Sequence, residues 1–230
     1  MATYVLIHGA GSDSWYWHLV EPELRARGHD VVAVDLPCDD DTAGFADYAN
    51  VVVSAIGNRT DLIVVAQSLG GFTAPLVCER VAVKLLVLVA AMIPLPGEPP
   101  GAWWDATGWE AARRGEAARY GSPSDGTFDA EATFFHDVPA AVVQEQFARG
   151  ERRQSGTPFA GPPVLAAAWP DVPTKFILCG NDRFFPAAFM RKLVHERLAI
   201  TPDEIESGHL PALAHPQLLV ERLEACRSAL

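Results

Sequence analysis

Apolar positions along the chain gather into short runs: Tyr4–Ile7, Val31–Val34, Leu62–Ala66, Leu85–Ala90 and Thr174–Cys179, with a weaker sixth across about Ala199–Ile205. The first four are near-continuous apolar strings without polar alternation, the pattern of strands covered on both faces. Between them lie helical patterns, roughly Trp15–Gly28, Ala43–Asn58, Leu69–Arg80, Ala187–Leu198 and His215–Ser228. Strand and helix alternating in this way predict an α/β fold: a doubly wound, mostly parallel sheet of about six strands with right-handed crossovers. Pro75 falls inside the third helical pattern and predicts a kink there, because proline removes one helix hydrogen bond and crowds the preceding turn.

Residues 94–169 break the rhythm. They open on Pro94-Leu95-Pro96-Gly97-Glu98-Pro99-Pro100-Gly101 and continue with helical patterns rich in aromatics, including Trp103, Trp104, Trp109, Phe134, Phe135 and Phe147. A second Pro/Gly-rich stretch follows around Thr157–Pro163, and the sheet pattern resumes at Thr174. The organisation expected is a core of residues 1–93 and 170–230 interrupted by a helical cap insertion, 94–169, lying over the carboxyl ends of the strands.

Composition narrows the partners. At 230 residues, 49% hydrophobic and 20% charged, the chain suits one well-buried α/β unit. A formal net charge of −11 argues against a nucleic-acid surface and against an anionic membrane, leaving a small molecule as the expected partner. The opening Met1-Ala2-Thr3-Tyr4-Val5-Leu6-Ile7 enters a strand at once, without the basic stretch and cleavage site of a secretory signal. No apolar run approaches the ~18 residues of a membrane span. Cys38, Cys78, Cys179 and Cys226 are widely separated and lack paired metal-ligand spacing, so reduced thiols in a cytoplasmic protein are expected. No metal or organic cofactor is called for, and monomer and homodimer both stay open.

The candidate chemistry starts at Ser68. It follows the strand pattern Leu62–Ala66 and opens Gln67-Ser68-Leu69-Gly70-Gly71, a strand-to-helix turn with small residues around an apical serine. Such a turn holds its apex in a strained conformation at the mouth of a sheet, which suits a nucleophile; a plain helix-capping serine is the alternative. His8-Gly9-Ala10-Gly11 follows the first strand, where glycines let backbone N–H groups point into a cavity. The oxyanion donors expected are the N–H groups of Ala10 and Leu69. Asp182 follows the fifth strand, at the sheet end where α/β folds place their ligands, although an Asp in a turn also serves as an Asx-turn former. His209, after the last strand, is the best placed of seven histidines for a general base. His8 is assigned a structural role, while His136 and Trp104 of the insertion are candidates for touching a substrate.

Ser68, Asp182 and His209 occur in the order expected of an α/β-hydrolase. With Val5-Leu6-Ile7-His8-Gly9-Ala10, Trp15 and Trp17, Arg27-Gly28-His29, Asp35-Leu36-Pro37 and Pro186, they make the chain resemble the α/β-hydrolase superfamily. More narrowly, it resembles the plant methylesterase and hydroxynitrile lyase group and its bacterial relatives. The resemblance covers about residues 1–93 and 170–230 and fits the insertion loosely. It implies a serine-dependent hydrolase cleaving a small apolar or aromatic carboxylic ester or thioester through an acyl-enzyme. A cofactor-free lyase and a small-molecule binding protein that retains the triad are the alternatives.

The chain departs from the group in several places. Ala66 stands where the elbow usually begins with glycine, and Cys38 with Asp39-Asp40-Asp41 follows Pro37 where glycine is usual. The three aspartates read as a solvated acidic loop, and Arg152 and Arg153 as a solvated face. Gly9 and Leu210 replace the threonine and lysine that the group's cyanide-releasing lyases carry, which weakens the lyase alternative.

Overall fold

The computed structural model describes residues 1–117, 120 and 128–230. Six strands form one parallel sheet: β1 (Thr3–Ile7), β2 (Asp30–Ala33), β3 (Leu62–Gln67), β4 (Val83–Val89), β5 (Thr174–Cys179) and β6 (Asp203–Ile205), in the spatial order β2-β1-β3-β4-β5-β6. The order reverses beside β1, whose partners are β2 on one side and β3 on the other, with Tyr4 opposite both Val31 and Ile63. That switch point is where α/β sheets open a crevice at the carboxyl ends of their strands.

Alternation along each buried strand divides the core into two layers. Val5, Ile7, Val64, Ala66, Leu86, Leu88, Phe176 and Leu178 face one way and pack against α2 (Phe45–Ile56), α3 (Gly70–Cys78) and α9 (Ala187–Leu198). Tyr4, Leu6, Ile63, Val65, Leu85, Val87, Val89 and Ile177 face the other way, against α1 (Val20–Ala26) and α11 (Pro216–Ser228). The unbroken apolar strings reflect this double covering.

Several element ends shift by one or two residues, as in Val83–Val89 and Phe45–Ile56, and three elements differ from the sequence expectation beside a proline. The first helical pattern divides into a 3-10 turn, Ser14–Trp17, and α1, so that Pro22 sits in a first turn where its missing N–H costs nothing. The sixth strand spans only Asp203–Ile205: Ala199 caps α9 with φ of 54°, and Pro202 cannot donate to a ladder. The last pattern begins at Pro216, preceded by the single turn α10 (Pro211–Ala214). Helix α3 runs through Pro75 without a break.

Between β4 and β5 the chain forms a 3-10 turn at Pro100–Ala102 and then α4 (Trp103–Thr107), α5 (Trp109–Ala117), α6 (Ala130–Phe134), α7 (Ala140–Arg149) and α8 (Thr157–Ala160). Trp103 is fully buried and donates its indole N–H to the Ile93 carbonyl at 3.1 Å. Residues 152–157 attach this segment to the loops after β1 and β2. Gln154 accepts from the Gly11 N–H, and the Ser155 N–H donates to the Cys38 carbonyl at 2.7 Å. Arg153 and the Ser155 hydroxyl both meet Asp41, and Arg152 reaches Asp13. Arg152, Arg153 and the acidic loop are therefore not simply solvated, as the sequence suggested: they pair with one another's segments across the molecule.

Candidate active site

Where β3 ends, Ser68 takes a φ of 50°, a left-handed conformation that is uncommon for a residue with a side chain. Strain of this kind costs about 1–3 kcal/mol and persists only where surrounding bonds over-determine it. Here the Ser68 N–H donates to the Val89 carbonyl at 3.2 Å, and its own carbonyl accepts from Gly71 at 3.1 Å and Met92 at 3.0 Å. Two glycines make the turn possible. A methyl group on Gly71 would land on the Met92 carbonyl oxygen, and one on Gly9 would strike the Gln67 side chain and lie 2.9 Å from the Ser68 Cβ. Helix α3 can thus leave the turn at once, and the loop after β1 lies directly against the serine.

The structure brings Ser68, His209 and Asp182 together although 141 residues separate the first two. His209 Nε2 lies 3.0 Å from Ser68 Oγ, and its Nδ1 lies 2.7 Å from Asp182 Oδ2. Asp182 is 1% exposed, and its other oxygen accepts from the backbone N–H groups of Phe184 (2.8 Å) and Phe185 (2.9 Å). The Asx-turn role and the histidine-facing role thus belong to the same carboxylate, one oxygen for each. Backbone bonds from Gly180 to Ile205 and from Asn181 to Ser207 lock the Asp182 loop to the His209 loop. The His209 ring is enclosed by Phe134, Phe184 and Phe185, with centroids 5.2–5.3 Å away.

Leu69 is the N-cap of α3, so its N–H has no partner within the helix, and Ala10 follows Gly9 in the loop packed on Ser68. A small packing gap bordered by Gly9, Leu69, Tyr48 and Gln154 lies alongside. His8 is structural: buried, it bonds the Gly9 carbonyl through Nδ1 and accepts the Leu36 N–H at Nε2. Burial also lowers its pKa. Trp104 lies within an aromatic cluster, 4.8 Å from Trp109 and 6.2 Å from Phe184, and reaches the His209 ring through intervening rings, Phe184 on one path and Trp103 with Phe185 on another. His136 packs on Gly208, and burial lowers its pKa. Among the described residues, no cluster of His, Cys, Asp and Glu could hold a metal ion, and no helix is long and apolar enough to cross a membrane.

A model of the alpha/beta hydrolase family matches residues 4–222. The chain belongs to that family. Among curated relatives of this α/β-hydrolase, norfluorocurarine synthase 1 of Strychnos nux-vomica is 24% identical, covering 96% of this chain and 93% of that protein. Methylesterase 7 of Arabidopsis thaliana is 26% identical, over 94% and 92%. Among solved structures, polyneuridine aldehyde esterase superposes with a TM-score of 0.79 at 20% identity, over 99% of both chains. A pyrethroid hydrolase from Sphingobium faniae JZ-2 gives 0.75 at 20% identity, over 99% and 98%.

Sequence reasoning missed two side chains around the site of this hydrolase. Gln67, buried next to Ser68, donates its amide to the His209 carbonyl at 3.0 Å. Its place beside the apical serine was a signal that could have been used. Asp137 accepts the Gly208 N–H at 2.5 Å from the segment between β4 and β5, and nothing in the local sequence announces that contact.

Proposed function

We propose that this hydrolase cleaves a small carboxylic ester or thioester, with an apolar or aromatic portion, through an acyl-enzyme on Ser68. The observation that carries the reading is the continuous relay from Ser68 Oγ through the His209 ring to Asp182, with the serine in its left-handed turn. His209 takes the proton from Ser68 as the hydroxyl attacks the carbonyl carbon. Asp182 holds the imidazole in the tautomer that leaves Nε2 free, and stabilises the imidazolium as it forms. The N–H groups of Ala10 and Leu69 receive the developing oxyanion, each worth roughly 3–4 kcal/mol in comparable sites. His209 then returns the proton to the leaving alcohol or thiol and activates the water that releases the acid.

In this reading the described residues of the 94–169 insertion act as a cap over the site, and residues 118–119 and 121–127 of that insertion lie outside the described residues. Phe134 from the cap stands beside the His209 ring together with Phe184 and Phe185, and these aromatic walls favour an apolar substrate with few polar anchors. Relatives named methylesterase and esterase support ester chemistry.

The test is hydrolysis of p-nitrophenyl acetate, butyrate and octanoate by wild type and Ser68→Ala, with a chelator present. Activity that survives the chelator and is abolished in the variant is the expected result. Equal activity in both proteins would remove Ser68 as the nucleophile.

A further inference from the structure

Asp137 connects the insertion to the loop that carries His209. Its Oδ2 accepts from the Gly208 N–H at 2.5 Å and from the Ser207 hydroxyl at 3.4 Å, with His215 Nε2 standing 3.6 Å away. Its Oδ1 and the Nε2 of His136 are buried and have no hydrogen-bond partner, and both crowd Gly208. A methyl group at Gly208 would come 2.5 Å from Asp137 Oδ1 and 2.8 Å from His136 Nε2. On the other side, Gln67 holds the His209 carbonyl. Residues 207–209 are therefore gripped from β3 and from the insertion at once.

The ring's two hydrogen bonds, to Ser68 and Asp182, orient the imidazole but do not fix the backbone from which it hangs. An N–H bonded to a carboxylate is among the stronger hydrogen bonds, and this one acts on the residue immediately before His209. We infer that Asp137 is a positioning residue: by holding Ser207 and Gly208 it sets the His209 ring for proton transfer, and so makes seating of the 94–169 segment a condition of activity. This rests on the hydrolase reading above. A carboxylate that merely stapled the insertion to the core would alter thermal stability or KM and leave kcat unchanged.

The experiment compares full-length Asp137→Ala and Asp137→Asn with wild type. It measures kcat and KM for p-nitrophenyl butyrate, Tm, and the NMR signals of the Gly208 amide and the His209 ring. Misplacing a catalytic group by about 1 Å costs on the order of 100-fold, so the alanine variant is expected to lose about that factor in kcat with KM little changed. Asparagine keeps an oxygen for the Gly208 N–H, so it is expected to restore kcat to within about tenfold of wild type. The Gly208 amide proton should move upfield in the alanine variant and much less in asparagine. Should the alanine variant fail to fold, Asp137→Ser, too short to reach Gly208, takes its place.

A kcat within about twofold of wild type in a folded alanine or serine variant would overturn the inference, since it lies far below the loss expected of a misplaced base. So would an unmoved Gly208 amide. Failure of the hydrolase reading shows separately, as hydrolysis that Ser68→Ala leaves intact. In that event His209 ring signals unchanged by loss of Asp137 would still refute the positioning role, and displaced ones would support it.

Discussion

Asp182→Asn tests the relay at the point where its geometry is most constrained. Asp182 Oδ1 accepts two backbone N–H groups, from Phe184 and Phe185, at 2.8 and 2.9 Å. An asparagine must therefore place its only carbonyl oxygen there, because its NH2 would oppose two donors. The NH2 then faces His209 Nδ1 at the 2.7 Å position now held by a carboxylate oxygen. To accept from that NH2, Nδ1 must give up its proton, which moves to Nε2 and points at Ser68 Oγ. The histidine then presents a donor where a base is required. A triad with this tautomer reversed loses about 10⁴ in turnover. That factor corresponds to about 5.5 kcal/mol of transition-state stabilisation. Both bonds to the turn survive, so the fold should be kept and Tm should change little. The assay is kcat for p-nitrophenyl butyrate, with Tm measured in parallel. A folded variant retaining kcat within about tenfold of wild type would refute the reasoning, because the tautomer would then not be set by Asp182.

Further predictions concern the scaffold. Gly71→Ala should destabilise the protein by about 3 kcal/mol in urea unfolding, because its methyl meets the backbone carbonyl of Met92 and not a movable side chain. Burial raises the Glu224 carboxyl, but hydrogen bonds from Arg227, Tyr4 and His29 outweigh it and hold the group at about 2. Its contribution to stability should therefore be complete above the ordinary carboxylate range and be lost as pH falls from about 4.5 toward about 2. Glu224→Gln should flatten the stability profile across that window in denaturant titrations at stepped pH. Burial pushes the Cys78 thiol up to about 12 and Cys226 up to about 11, and raises Cys38 and Cys179 as well. A thiol-disulfide reagent at pH 8 should react slowly with the native protein and promptly with all four cysteines after unfolding.

The sheet and the relay were legible in the sequence for different reasons. The strands were visible because covering on both faces leaves no polar position to interrupt the apolar strings, as in Leu62–Gln67. Ser68, Asp182 and His209 were visible because each follows a strand and they come in a recognisable order. Other ends moved by a residue or two, but at Pro22, Pro202 and Pro216 a local backbone rule overrides hydrophobic periodicity. The sequence could not show what the insertion touches. Arg153 meets Asp41 and Asp137 meets Gly208 across 112 and 71 residues of chain, and neither pair has a local pattern to reveal it.

The placement of His209 has a consequence for how the protein fails. The residue hangs from β6, a strand of three residues at the edge of the sheet, paired only with β5. Ser68 sits at the end of β3, an interior strand with neighbours on both sides. Edges with few bonds open at lower free energy than a sheet's centre. Under heat or denaturant, His209 is expected to part from Ser68 before the core melts, once β6 and the Gln67 and Asp137 bonds to its loop give way. On the proposed mechanism, loss of turnover is then expected to precede loss of the bulk spectroscopic signal, an early report of fraying at one margin.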